Sequence, residues 1–234
     1  MQEILSHHIT TNFSPISLSE YEERKKRKWQ QEYELEIRQK KADQVKKAME
    51  YSGLDMLIRD KTFDQYDAVE DWQKIAKASC MKYASNPDKW LLVSGPTGSG
   101  KTHLCTAVVG SMINNGIPVW YMLYREEIDK LKLMEGVDPE EREKKMRLYK
   151  TAQVLYIDDL FKGGASKADV KAIFELIDYR RRTNKTTIIS TEMTPQQIAE
   201  IDEAVAGRIV ENTKKVLIKY EKDRNYRMKG SVET

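Results

Sequence analysis

Eight consecutive residues, Gly95-Pro96-Thr97-Gly98-Ser99-Gly100-Lys101-Thr102, satisfy G-x-x-x-x-G-K-[ST] at every fixed position. That spacing suits phosphate. Glycines let successive backbone N–H groups turn inward around phosphate oxygens, and a helix starting near Lys101 adds the positive end of its dipole. The Lys101 ammonium then reaches the β- and γ-phosphates of ATP, and the Thr102 hydroxyl ligates Mg2+. His103 follows directly and is grouped with the cofactor-binding residues. Downstream, "VLYIDDL" ends an apolar run in two carboxylates. Asp158, at the tip of a buried strand, is placed to hold magnesium through water, and Asp159 to polarise the attacking water. Glutamate is the usual residue there. Aspartate is one methylene shorter, so the water must sit closer or turnover slows. The plain alternative is a pair of solvated carboxylates at a strand end.

Two further places carry polar groups suited to the same chemistry. "TTIIST" runs out through Ser190 and Thr191 to Glu192. If that strand is central in the sheet, Thr191 or Glu192 lies beside the γ-phosphate and orients the water. Otherwise the strand merely enters the turn before Thr194-Pro195. Arg208 in "DEAVAGRIVE" and the run Arg180-Arg181-Arg182 are the arginines considered for reaching a neighbour's γ-phosphate. Periodicity alone makes Arg208 a charged residue on a helix. The triple run ends a helix, where cations also favour the dipole.

The elements that must position these groups follow from hydrophobic patterning. Strands are predicted at Trp90 to Ser94, Pro118 to Leu123, Val154 to Ile157, Thr186 to Thr191 and Val216 to Tyr220. Helices are predicted at Ala68 to Ala84 (broken by Asn86-Pro87), His103 to Asn114, Lys167 to Arg182 and Thr194 to Ile201. This alternation is that of an α/β fold with a parallel, doubly wound sheet covered on both faces. Between the second and third strands lies a charged helical insert, Arg125 to Lys150.

Ahead of this part, Met1 to Ser19 lacks periodicity and reads as a loose arm. Ser19 is placed to cap a charged helix from Glu20 to about Tyr51, with Gly53 to end it. Trp29, Tyr33 and Ile37, resumed by Val45 and Met49, form its only apolar stripe, which must meet the main domain, a copy of itself or a partner. The densest basic run, Arg24 to Lys28 beside Trp29, suits single-stranded DNA by charge and stacking. The segment Glu20 to Glu50 is nevertheless nearly balanced, with ten Lys/Arg against eight Asp/Glu, so a solvated face accounts for it equally simply. "SGLDMLIRDKTFDQY" reads as a linker. The domain reading is 1–61 for the arm, partner-binding helix and linker, and 62–234 for the nucleotide-binding part.

The whole chain has 234 residues and a net charge of +3, so no global basic field for nucleic acid exists. Cys80 and Cys105 form no C-x-x-C and read as reduced, buried thiols. No apolar run reaches the length of a signal-peptide core or a membrane span, and the protein is read as soluble and cytoplasmic with no membrane partner.

The series "WLLVSGPTGSGKTHL", "VLYIDDLFKG", "IFELIDYRRRTNKTTIISTEMT", "IDEAVAGRIVENT" and "DRNYR" resembles the AAA+ ATPases of the DnaC/DnaI type, which load replicative helicases, and most of all their phage and mobile-element forms. The IstB transposition ATPases belong to the same group. The resemblance covers Thr62 to Met228. It implies that Arg208 acts as an arginine finger in self-assembly, in trans. It implies that Thr62-Phe63 matches an element before the P-loop in which Phe63 contacts the base. Glu192 departs from the asparagine common at the family's sensor position. The resemblance further implies no C-terminal helical lid, with Arg224 and Arg227 as strand-end or DNA contacts, and it places the Arg125 to Lys150 insert near pore and DNA; a simple exposed hairpin is the alternative. By position, the N-terminal helix is the element that binds the ring helicase. The leading expectation is an ATP-dependent loader of a replicative ring helicase that also binds single-stranded DNA. A transposition helper binding DNA and a transposase comes next, followed by a P-loop small-molecule kinase and a nucleotide-switched scaffold with little turnover.

Overall fold

The computed structural model describes residues 17–219. Most of the arm, the expected strand end at Tyr220, the expected absence of a lid, and Arg224 and Arg227 lie outside the described residues. The described residues divide into two compact units at Lys40/Lys41, earlier than the expected 61/62 boundary.

Helix α1 covers Leu18–Ser52. Its cap is Ser17 rather than Ser19: the Ser17 hydroxyl accepts from the Glu20 N–H at 3.3 Å, and the Ser17 N–H donates to the Glu20 carboxylate at 3.0 Å. Glu20 stands three residues after Ser17, the spacing of a capping box. In the first unit, α1 carries exposed ion pairs one turn apart, Glu23–Arg27, Lys28–Glu32 and Glu36–Lys40. Exposed to solvent and salt, such pairs add little to stability. Trp29 and Tyr33 stack with ring centroids 5.4 Å apart and remain exposed.

In the second unit, Ala48 of α1 is buried, and Gly53 turns the chain at φ 62° into helix α2, Leu54–Asp60. The stretch read as a linker is therefore partly helical, and Leu54 is fully buried in the core. Helix α3, Asp71–Ser85, starts at a Glu70/Gln73 capping box and ends at Asn86, as Asn86-Pro87 requires. Strand β1, Trp90–Ser94, leads into helix α4, Lys101–Asn114. Strand β2, Val119–Leu123, is followed by helices α5, Tyr124–Val137, and α6, Pro139–Thr151. Strand β3, Val154–Asp158, precedes helix α7, Lys167–Arg182, and strand β4 covers Thr186–Thr191. Helices α8, Pro195–Ile201, and α9, Glu203–Glu211, then lead to strand β5, Thr213–Leu217.

The five strands of the described residues are all parallel, in the order β2-β3-β4-β1-β5. Side chains alternate across the sheet, so it buries two cores. Leu92, Leu155, Ile157 and Ile189 face one, with α5 to α9. Leu91, Val93, Tyr156 and Ile188 face the other, with α2 to α4. The last strand starts three residues before its expected position because Lys214 and Lys215 continue the pairing with β1. Lysines are usual on an edge strand, where they discourage further pairing. The insert between β2 and β3 is not a simple exposed hairpin: Tyr124, Ile128, Leu131, Met146 and Tyr149 are buried in the sheet's core. Cys80 and Cys105 are free and buried. No described helix is long and apolar enough to cross a membrane.

Candidate nucleotide site

Strand β4 sits between β1 and β3, so the ends of these three strands converge at one edge of the sheet. The loop from β1 into α4 needs glycine for two separate reasons. A Cβ at Gly95 would lie 2.7 Å from Ile218 Cβ. Gly100 has φ 84°, and a Cβ there would lie 2.7 Å from Tyr66 Cε2. The loop delivers Lys101 and Thr102 as the first residues of α4. A cavity of about 270 Å³ lies against it, lined on this side by Thr97 to His103 together with Asp159, Lys162 and Glu192. Lys101 Nζ donates to Pro96 O at 2.9 Å. Burial pulls the Lys101 ammonium below its ordinary value, against the raising effect of Glu192 and Asp159.

The Asp158 carboxylate is buried and surrounded by hydroxyls. It accepts from Thr102 Oγ1 at 3.1 Å, Tyr121 Oη at 3.1 Å, Tyr156 Oη at 2.7 Å and the Ser190 hydroxyl. Tyr156 reaches it because residues two apart in a strand share a face, and Tyr121 because β2 pairs with β3 in the register Tyr121↔Tyr156. Burial raises both phenols well above their ordinary range, and the carboxylate beside them raises them further. Ser190 Oγ also accepts from the Asp159 N–H at 2.9 Å, linking the β4 tip to both acids.

Asp159 leaves the strand at φ 57° and lines the cavity. Lys162 Nζ lies 2.7 Å from Asp159 Oδ2 and 3.5 Å from Glu192 Oε1. The hydrogen bond to Asp159 raises the Lys162 ammonium above its ordinary value. Burial alone would raise the Glu192 carboxyl, but the Thr97 hydroxyl, Lys101 and Lys162 outweigh it and hold it below the usual value. Of the two sensor candidates, Glu192 faces the cavity. Thr191 is fully buried, donates to Leu160 O at 2.8 Å and accepts from the Met193 N–H.

The opposite wall comes from the connection between α2 and α3: Lys61, Gln65, Tyr66 and Asp67, with Gln73 from α3. His103 bridges the walls. Its Nε2 lies 2.7 Å from Thr62 O, its ring meets Tyr66 edge-on at 5.2 Å, and burial lowers its pKa. Phe63 is not part of this wall. It packs against the core beside α3 and α4, and Tyr66 presents the aromatic ring. A short connection exposes only some of its side chains to the cavity, and here the apolar one turns inward.

A family model described as IstB-like ATP binding protein matches residues 7–233. The chain belongs to this family. YqaM of Bacillus subtilis (strain 168) is 32% identical over 152 residues, which is 62% of this chain and 46% of that protein. The phage-like element PBSX protein XkdC of the same strain is 34% identical over 127 residues, 50% of this chain and 45% of that one. The matches thus span less than half the length of these two relatives. Among solved structures, the DnaC helicase loader superposes with a TM-score of 0.61 at 26% identity, covering 69% of this chain and 98% of that one.

As an IstB-like ATP-binding protein, the chain fits ATP in the cradle: glycines where a Cβ would collide, Lys101 and Thr102 at a helix N-terminus, and an acid within hydrogen-bond distance of the threonine. No group of three or more His, Cys, Asp or Glu is arranged for a metal among the described residues. The Thr102 hydroxyl and the Asp158 carboxylate, 3.1 Å apart, are the kind of oxygen pair that Mg2+ takes, with phosphate and water completing its shell. The arginines separate clearly. Arg180 is fully buried and donates to the carbonyls of Tyr149, Lys150, Ala152 and Thr186 and to the Thr187 hydroxyl. Burial lowers it to about 9, so it stays cationic at neutral pH. Arg181 pairs with Glu211 and Arg182 with Asp178. Arg208 is outside the cavity lining, 2.7 Å from Asp178 and over the Phe174 ring at 4.4 Å.

Sequence reasoning missed Lys162, Tyr66, Tyr121 and Tyr156. Only Tyr156 carried a usable signal, two residues before Asp158 in a strand.

Proposed function

We propose that this protein hydrolyses ATP and uses the cycle to place a replicative ring helicase on single-stranded DNA in the cytoplasm. The observation that carries the ATPase part is the 3.1 Å contact between Thr102 Oγ1 and Asp158 Oδ1, which joins the P-loop to the tip of β3. In this reading the backbone N–H groups of Gly95 to Thr102 and the Lys101 ammonium bind the phosphates. Thr102 and Asp158 hold Mg2+, which when bound neutralises charge on the β- and γ-phosphate oxygens. Asp159 takes the proton of the attacking water, and Glu192 orients that water from the β4 tip. Arg208 leaves Asp178 to reach the nucleotide of a neighbouring copy. Arg180 is excluded from that role by its complete burial and backbone partners.

The loader part is supported by the likeness to the DnaC helicase loader over almost all of that chain. The exposed Trp29–Tyr33 face of α1 is assigned to the helicase, and the segment 1–61 to partner binding. Size-resolved mixing with the helicase of the same replication system, with and without ATP, tests this. An ATP-sensitive complex is expected, lost on deleting residues 1–40, which spares the buried Ala48 and Leu54. No complex under any nucleotide condition overturns the loader reading. It would favour a transposition helper, the second reading supported by the IstB-like family match. Replacing Arg208 by alanine is expected to spare ATP binding and remove turnover that rises with protein concentration. Turnover independent of concentration in both proteins overturns the trans role.

A further inference from the structure

Asp159 and Glu192 both line the cavity that the ATPase reading gives to a polyphosphate. Two carboxylates on that wall repel a terminal phosphate, so the charge there has to be balanced. Lys101 acts on both from the phosphate loop, and Lys162 lies within ion-pair distance of both. Its backbone is anchored: the Lys162 N–H donates to Asp159 O, the Leu160 N–H to Ser190 O, and the Thr191 hydroxyl to Leu160 O. Its side chain is not so confined, being 46% exposed against 18% for Asp159. A fixed backbone with a mobile four-carbon stem lets the ammonium change partners within one site. Lys101, by contrast, is buried at the helix start and committed to the phosphate loop.

We propose that Lys162 is a second phosphate-binding cation, which gives up a carboxylate partner to contact the terminal phosphate of a nucleoside triphosphate. This rests on the ATPase reading and adds two properties to it. The site distinguishes tri- from diphosphate through Lys162, because only the triphosphate offers the group that draws the ammonium away. Asp159 gains a free carboxylate for water only once that third phosphate is present, so an idle site keeps its base occupied. A charge-assisted contact of this kind is strong enough to dominate the discrimination.

Equilibrium binding of ATPγS and of ADP, each with Mg2+, to the full chain tests the proposal. Lys162→Gln is expected to weaken ATPγS about tenfold while leaving ADP within about twofold, since a hydrogen bond to a charged group contributes on that scale. Lys162→Arg keeps the charge and is expected to retain the preference for ATPγS. Equal weakening of both nucleotides, or no change in either, overturns the proposal and leaves Lys162 as a loop ion pair. Faster basal hydrolysis of Lys162→Gln with an unchanged ATPγS-to-ADP ratio also overturns it, since the lysine would then mask Asp159 without touching phosphate. Lys162→Ala serves in the same titrations should thermal unfolding show Lys162→Gln to be misfolded. Lys101→Ala separates the two levels. If it leaves both affinities intact, the ATP-site reading itself fails. If it abolishes both while Lys162→Gln changes no ratio, only the present proposal fails.

Discussion

The two walls of the nucleotide cavity are made from different kinds of sequence. On one side, a run of neighbouring residues from Thr97 to His103 supplies nearly half the lining, joined by single residues from the ends of β3 and β4. On the other, Lys61, Gln65, Tyr66 and Asp67 from the connection between two helices, with Gln73 from the first turn of α3, share no motif. Phosphate is bound mainly by backbone N–H groups, whose directions are set by contiguous glycines and a helix start. A wall that works by shape can be assembled from almost any side chains. The first wall is therefore fixed in residue type, and the second is fixed in place only.

The largest test of that contrast is Lys101→Ala. ATP affinity by calorimetry is expected to fall about 100-fold or more, the scale of losing one preorganised charged donor. Gln65→Ala on the other wall is expected to cost less than about tenfold. Equal losses would erase the distinction. Next comes Gly100→Ala, which forces a side chain into φ 84° and against the Tyr66 ring. Urea unfolding is expected to show a loss of about 2 kcal/mol. Part of it should return in the Gly100→Ala/Tyr66→Ala double variant, with about 1 kcal/mol of coupling across the cavity. Strict additivity would mean that the walls do not touch energetically.

Smaller still is Tyr66→Phe. The Tyr66 hydroxyl is buried without a partner among the described residues. Its removal is expected to stabilise the protein by about 1 kcal/mol, or roughly 2–4 °C in thermal unfolding. A destabilised variant would reveal a partner for that hydroxyl.

The smallest effect concerns pH. The Glu192 carboxyl is held below its usual value, so its contribution is present above about pH 4.5 and is lost as pH falls through the folded-state value. The Lys162 ammonium is raised, so its contribution is present below about pH 10.5 and is lost as pH climbs past the folded-state value. Glu192→Gln should flatten the acid limb of stability against pH and weaken the alkaline limb only in part, because Asp159 is the larger of the two partners that raise Lys162.

The same contrast explains what could be read from residues alone. The P-loop, the Asp158-Asp159 pair and the alternating strands were legible because each obeys a local rule of spacing. The parallel sheet followed from that alternation; β2 starts one residue late, at Val119, and β5 three residues early, since Thr213 to Lys215 look polar and pair nonetheless. Arg180 was not legible. In sequence it is one of three adjacent arginines, yet it alone turns inward to bind four carbonyls from residues 149–186. Helical phase distinguishes it from Arg181 and Arg182 only when the buried face of α7 is known. Lys162 was hidden for a related reason: its partners Asp159 and Glu192 meet only because β4 lies beside β3.

The strand order also sets a timetable for synthesis. Among the described strands, β1 pairs with β4 and β5, the last two in sequence, so both of its edges stay open while β2 and β3 are already able to join. The phosphate loop that follows β1 has no sheet to lean on until residues 186–217 exist. Long-range parallel pairing of this kind is slow to form and exposes strand edges meanwhile. A nascent chain stalled before β4 would carry the complete P-loop motif on a strand with neither of its sheet neighbours.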